Sequence, residues 1–139
     1  MISTRLLTTW LWLGFLIMAV GCDSDGKYPV SGTVTWNGDP VPEGSIIFTP
    51  VDPSVGPDAT QIENGRFHLR ASEGQKKVEI FADRDIGKRD RVMNIVRREQ
   101  YIPTRYNEKT ELTVEVTAQG PNDYQLDLVA KEGDRKAGS

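Results

Sequence analysis

One cysteine and one histidine in 139 residues leave little for catalysis to work with. Nucleophilic chemistry needs a nucleophile, a base and an orienting group held together. Cys22 falls at the end of an apolar leader, and His68 lies on the polar face of an alternating segment, where a solvated imidazole is expected. A metal centre of His and Cys ligands is excluded by count. Asp52 and Asp58 share a loop rich in Pro and Gly and could offer oxygen to Ca²⁺, but they lack the tight alternating spacing of a calcium loop and read as loop punctuation. The residues therefore predict no catalytic group, no metal ligand and no cofactor site, and a protein that is not an enzyme. One cluster does carry binding chemistry. Arg84, Lys88, Arg89, Arg91, Arg97 and Arg98 stand against only Asp85 and Asp90 in the same stretch. Such a cluster suits anionic lipid headgroups, an acidic polysaccharide or an acidic protein partner. The residues alone favour the plainer reading, a solvated loop whose charges stop an exposed edge from pairing. Tyr28 and Trp36 have ring faces on which a sugar could stack, yet they share the apolar face of the first alternating segment, where core packing is expected.

The elements that must position these groups read as strands. Tyr28, Val30, Gly32, Val34 and Trp36 fall on one face, with Ser31, Thr33, Thr35 and Asn37 on the other. Asn37-Gly38 ends that strand, and Gly44 to Pro50 returns with Ile46 and Phe48 inward. Ala59–Glu63 and Arg66–Arg70 flank Asn64-Gly65, a strong hairpin signal because both central residues of a type I′ turn need positive φ. Lys76 to Ala82 alternates again, with Val78, Ile80 and Ala82 on one side. Leu112, Val114 and Val116 make a further inward row, and Tyr124, Leu126 and Leu128 the last. Seven strands, each with one apolar face, demand a second layer to cover them, so a β-sandwich is expected. Between Asp83 and Asn107 the alternation stops and a charged insertion precedes the last two strands. Within it, Val92 to Val96 fits a short helix or an extra edge strand.

Residues 1–21 read as an export signal. Met1 to Arg5 carries one positive charge, and Leu6 to Gly21 is an uncharged run of about sixteen residues, short against the roughly 20 that a membrane-spanning helix needs. Ala19-Val20-Gly21-Cys22 resembles the lipobox cut by lipoprotein signal peptidase, which implies lipidation at Cys22 by a diacylglycerol thioether and makes Cys22 the new N-terminus. Residues 22–27 then form a lipidated tether with a reach of at most roughly 18 Å. Residues 28–129 form the sandwich domain and 130–139 a polar tail. The chain carries 17 basic and 20 acidic side chains. Losing Arg5 with the leader moves its net charge from −3 to about −4, whereas a nucleic-acid partner would favour a basic footprint.

The residues from Val30 to Gly44, followed by Ile46-Ile47-Phe48-Thr49-Pro50, resemble the opening of carboxypeptidase regulatory-like domains. Ile102-Pro103-Thr104-Arg105-Tyr106-Asn107, Leu112 to Val116 and Tyr124 to Leu128 resemble the closing part of small planctomycete lipoproteins that carry this domain. The resemblance implies a transthyretin-like (prealbumin-like) seven-stranded sandwich and is nearly silent on activity. The hydroxyisourate hydrolases of the transthyretin-like class use several histidines, an arginine and a C-terminal Tyr-Arg-Gly-Ser. Here only the final Gly138-Ser139 agrees.

Together these readings lead us to expect a monomeric, non-catalytic, lipid-anchored envelope protein facing the periplasm or the cell exterior. It would act as a structural or protein-binding module, with the membrane reached through the anchor and an envelope protein or polysaccharide as partner. The alternative is an accessory protein that binds a glycan or small ligand for an envelope enzyme or transporter. A concave cleft lined by exposed aromatics would favour that alternative.

Overall fold

Both Asn-Gly pairs adopt the left-handed backbone that tight reversals require. The φ angles are +51° at Asn37, +92° at Gly38, +50° at Asn64 and +74° at Gly65. The computed structural model describes residues 25–134. In it β1 (Lys27–Trp36) turns at the first pair into a two-residue β2 (Asp39–Pro40) and then β3 (Glu43–Pro50). β4 (Asp58–Glu63) turns at the second pair into β5 (Arg66–Ser72), which leads to β6 (Gly74–Phe81). After β7 (Asp83–Arg89) and β8 (Val96–Gln100) come a 3-10 turn at Thr104–Tyr106, β9 (Thr113–Val116) and β10 (Asp123–Leu128). The protein is all-β, and each of the seven alternating segments contains a strand.

The main sheet runs β10-β1-β5-β4-β3-β6-β9, with β2 beside β1. Its pairs are antiparallel except β10, which lies parallel to β1. Only one residue pair, Glu63 with Arg66, joins β4 to β5. The sheet curls there, and its two halves close on each other. Phe48 of β3 and Phe67 of β5 are not on neighbouring strands, yet their rings meet at 5.9 Å. The result is sandwich-like, but the hydrogen-bonded path is continuous where two separate layers were expected. The tight Asn64-Gly65 hairpin carries it around the bend.

Alternation put the right side chains inside. Val30, Val34, Ile46, Ile62, Val78, Ile80, Val116 and Leu128 are buried around the two phenylalanines. Gly32 is part of this fit. A Cβ there would lie 2.1 Å from the Tyr124 carbonyl oxygen and 2.7 Å from the Phe67 ring. We expect Gly32→Ala to force β10 or Phe67 aside and to cost about 1–3 kcal/mol, as overpacked cores do, measured by urea unfolding.

The inward row of β6 continues one step further than its aliphatic residues, to Lys76, which is 1% exposed. Its Nζ donates to Ser72 Oγ at 2.6 Å. Burial lowers the pKa of this ammonium, while Asp58 and Asp52 pull the other way. With the folded pKa below the unfolded one, the unfolded chain binds more protons between the two values, so stability rises with pH through that window. Lys76→Met, which fills the same space without the charge, should abolish that alkaline rise in pH-dependent unfolding and leave neutral-pH stability equal or higher.

The charged insertion is neither a helix nor an edge of the main sheet. β7 and β8 pair only with each other, Asp83 opposite Gln100 and Arg89 opposite Val96, with an irregular register between. Residues 91–93 form the turn between them, and Val96 opens β8. The helix alternative for Val92 to Val96 therefore gives way to a hairpin tip. Strand pairing places it in the molecule. Lys27 lies opposite Ser72 at one pole, and β6 starts at that pole and ends at the other. Trp36, Ala82 and the base of the hairpin share the far pole. The hairpin thus leaves the domain at the pole opposite the start of β1, about 30 Å of strand away.

Candidate functional site: a basic hairpin and the cleft at its base

The start of the domain is clamped. Lys27 Nζ meets Asp58 Oδ1 at 2.5 Å, and Arg70 bridges Asp25 at 2.8 Å and donates to the Lys27 carbonyl at 2.9 Å. Asp58 is buried and also accepts a long bond from the Ser72 N–H. Asp52 instead accepts from the N–H and hydroxyl of Ser54, which lower its pKa. The two aspartates thus hydrogen-bond to different partners. Among the described residues no three His, Cys, Asp or Glu side chains gather around a point. His68 is exposed on the outer face of β5.

At the far pole Gln100 fixes how the hairpin leaves the domain. Its side-chain oxygen accepts from the N–H groups of Ala82, at 2.9 Å, and Ile102, at 3.2 Å. Tyr101 follows, with its N–H on the Ala82 carbonyl. Its ring lies edge-on to Trp36 at 6.2 Å, and Tyr106 packs edge-on to the same indole at 6.4 Å. Trp36 is only half-buried, and with Tyr101, Pro42, Arg84 and Arg98 it lines an open cleft of about 510 Å³. Arg84 stacks over the Tyr101 ring at 5.8 Å, and burial pushes the Tyr101 phenol above its usual pKa. Tyr28, the other aromatic that sequence placed with Trp36, sits half-buried at the opposite pole. The two do not form one platform.

Of the six basic residues, Arg84 and Arg98 line this cleft. Arg98 pairs with Glu43 at 3.2 Å and Asp85 at 3.5 Å, fastening β8 to the start of β3. Arg89 donates to Asn94 Oδ1 at 3.2 Å, within the tip. Arg91 and Arg97 are exposed, and among the described residues neither has a carboxylate at ion-pair distance. Lys88 falls within β7. Cys22 and the leader lie outside the described residues, and no helix among the described residues is long and apolar enough to cross a membrane.

Sequence reasoning missed the polar groups that tie the segment after β8 to the domain. Asn107 is buried and donates to the Ile102 carbonyl at 3.1 Å. Thr110, also buried, donates to the Val78 carbonyl at 2.6 Å. Arg105 donates to the Val129 carbonyl and pairs with Asp134, drawing the first residues of the polar tail back onto the domain. A turn of Pro, Thr, Asn and Lys outside any alternation was the only available signal. No family model, curated protein or solved structure matches the chain.

We expect Trp36→Ala to cost less than the roughly 3–5 kcal/mol typical of a fully buried tryptophan. Amide exchange should quicken across residues 83–100 while β3 and β5 stay protected, because the indole supports the hairpin base and not the Phe48–Phe67 centre.

Proposed function

We propose that this chain is a non-catalytic lipid-anchored envelope protein whose β-domain holds a contact element away from its anchor. The observation that carries the reading is polarity. The chain enters the domain at one pole, where Arg70 and Asp58 hold residues 25 and 27, and the basic hairpin leaves at the other. Acyl chains on Cys22 would fix the first pole at a bilayer facing the periplasm or cell exterior, with two chains giving stable attachment where one is marginal. The hairpin would then meet an envelope partner. Its arginines and exposed tip suit an anionic surface and do not suit solvent alone. We read the curled sheet as a transthyretin-like sandwich of a planctomycete-type lipoprotein, on the resemblance carried by residues 30–50 and the closing segments. Monomeric behaviour fits the paired or covered interior of the main sheet.

A second reading, as a glycan or small-ligand accessory protein, is favoured by one feature, the cleft beside Trp36 and Tyr101 with carboxylates and guanidinium groups at its rim. Aromatic faces with paired polar groups suit sugar rings.

The deciding experiment compares wild type and Cys22→Ala expressed in a bacterial host, by intact mass and membrane partition. Wild type should lose the leader, gain acyl mass and partition with membranes, and the variant should do none of these. If the two behave alike, the anchor and the display reading both fall.

A further inference from the structure

We infer that the tip of the β7–β8 hairpin docks on an anionic lipid bilayer, with Val92, Met93 and Ile95 entering the interface and Arg89, Arg91 and Arg97 meeting headgroup phosphates. This deepens the display reading by naming the partner surface, a bilayer facing the one that would hold Cys22, but it rests on the tip itself and needs no acylation of Cys22.

Val92 is 93% exposed, Met93 72% and Ile95 55%, and Val96 beside them is also exposed. Four of the seven large apolar side chains exposed among the described residues thus fall within five consecutive positions. A solvated loop that only protects an edge has no use for them. They are also held in one shape. Asp90 accepts from the N–H groups of Val92, at 2.8 Å, and Met93, at 3.0 Å, and these bonds lower its pKa. The Asp90 N–H donates to the Ile95 carbonyl and the Asn94 N–H to the Asp90 carbonyl, both at 2.9 Å. Asn94 takes the left-handed backbone, with φ +53°, that turns the chain back. Pairing the turn's polar groups internally reduces what it costs to move the tip out of water.

The chemistry around the tip selects the partner. A polysaccharide offers no apolar phase for three aliphatic side chains. A protein pocket needs a shaped anchor, usually aromatic or arginine set in a cleft, and the tip has no aromatic residue. A convex aliphatic point with basic side chains on both strands matches a surface that is anionic above and apolar below. Asp90 is the one acid between Asp85 and Glu99, and its charge is turned inward on two N–H groups.

The test uses the chain from residue 23 onward, which keeps every described residue and the whole core, and reads co-sedimentation with vesicles. Binding to phosphatidylglycerol–phosphatidylcholine vesicles should exceed binding to pure phosphatidylcholine by about tenfold or more, and should weaken with added salt. Val92→Asp/Met93→Asp should lose about tenfold or more on the anionic vesicles, and Arg91→Gln/Arg97→Gln about fivefold or more. Both variants should unfold at the wild-type temperature, because these side chains are exposed. If the aspartates disturb folding, Val92→Ser/Met93→Ser puts the same question. Equal binding to both vesicle types overturns the proposal, and so does full binding by the tip variants. A wild-type oligomer that the tip variants dissolve would make the tip a contact between copies and overturn it as well. Failure on vesicles with the Cys22 comparison still positive would remove this inference and leave the display reading standing.

Discussion

The contact between Phe48 and Phe67 closes this molecule. The two rings come from strands that share no hydrogen bonds, and they meet because the sheet folds over at the single pair between Glu63 and Arg66. Every other inward side chain packs around that closure. Gly32 leaves the room that Phe67 occupies, and the aliphatic rows of β1, β3 and β6 fill the space between the halves. With one cysteine in the chain, no internal disulfide contributes, so the apolar area buried here provides the main stabilisation against chain entropy. The closure also sets direction. Once β1 and β5 are paired in this register, β6 must start at the pole of Lys27 and finish at the pole of Trp36. The hairpin has only one place from which to leave.

That direction links fold to proposed function. Ion pairs at the first pole hold the chain as it enters the domain, and the side chain of Gln100 and the Arg98–Glu43 pair hold the hairpin where it departs. Between the poles lies a core that does not bend easily, because its side chains interdigitate at interior density. For the proposed role, a rigid spacer between a tether and a contact element, two features of the hairpin have clear uses. The paired turn at Asp90 fixes the tip, and the stack of Tyr101 and Trp36 braces its base.

Much of the fold was legible in the sequence because period-two alternation and Asn-Gly turns are local signals with one physical meaning each. Tyr28 to Trp36 alternates over nine residues, and the structure buries Val30, Val34 and the Gly32 between them as that pattern requires. Lys76 shows the limit. It sits two residues before Val78 and so belongs to the inward row, but a lysine does not announce burial until its partner Ser72 is in view. The curl was illegible for a related reason, since strand pairing across a hairpin does not reveal how far the pairing extends. The hairpin was only half legible. Asp83 to Arg89 pairs as a strand without any apolar alternation to announce it, and the run from Val92 to Val96 suggested an element of its own when it forms the turn and the first residue of the next strand. The cleft was least legible, because Trp36 and Pro42 are far in sequence from Arg98 and Tyr101 and meet them only after closure.

Two-pole geometry is the claim on which the rest stands, and a pair of spin labels measures it. Labels at Asp25→Cys and Val92→Cys, with Cys22→Ser removing the native thiol, report the span from the start of the domain to the hairpin tip by pulsed electron resonance. About 30 Å of β1 plus the outward reach of the hairpin predicts a separation above roughly 35 Å with a narrow distribution. A separation below about 25 Å would mean that the hairpin folds back toward the first pole, and would contradict a domain that holds its contact element away from its anchor.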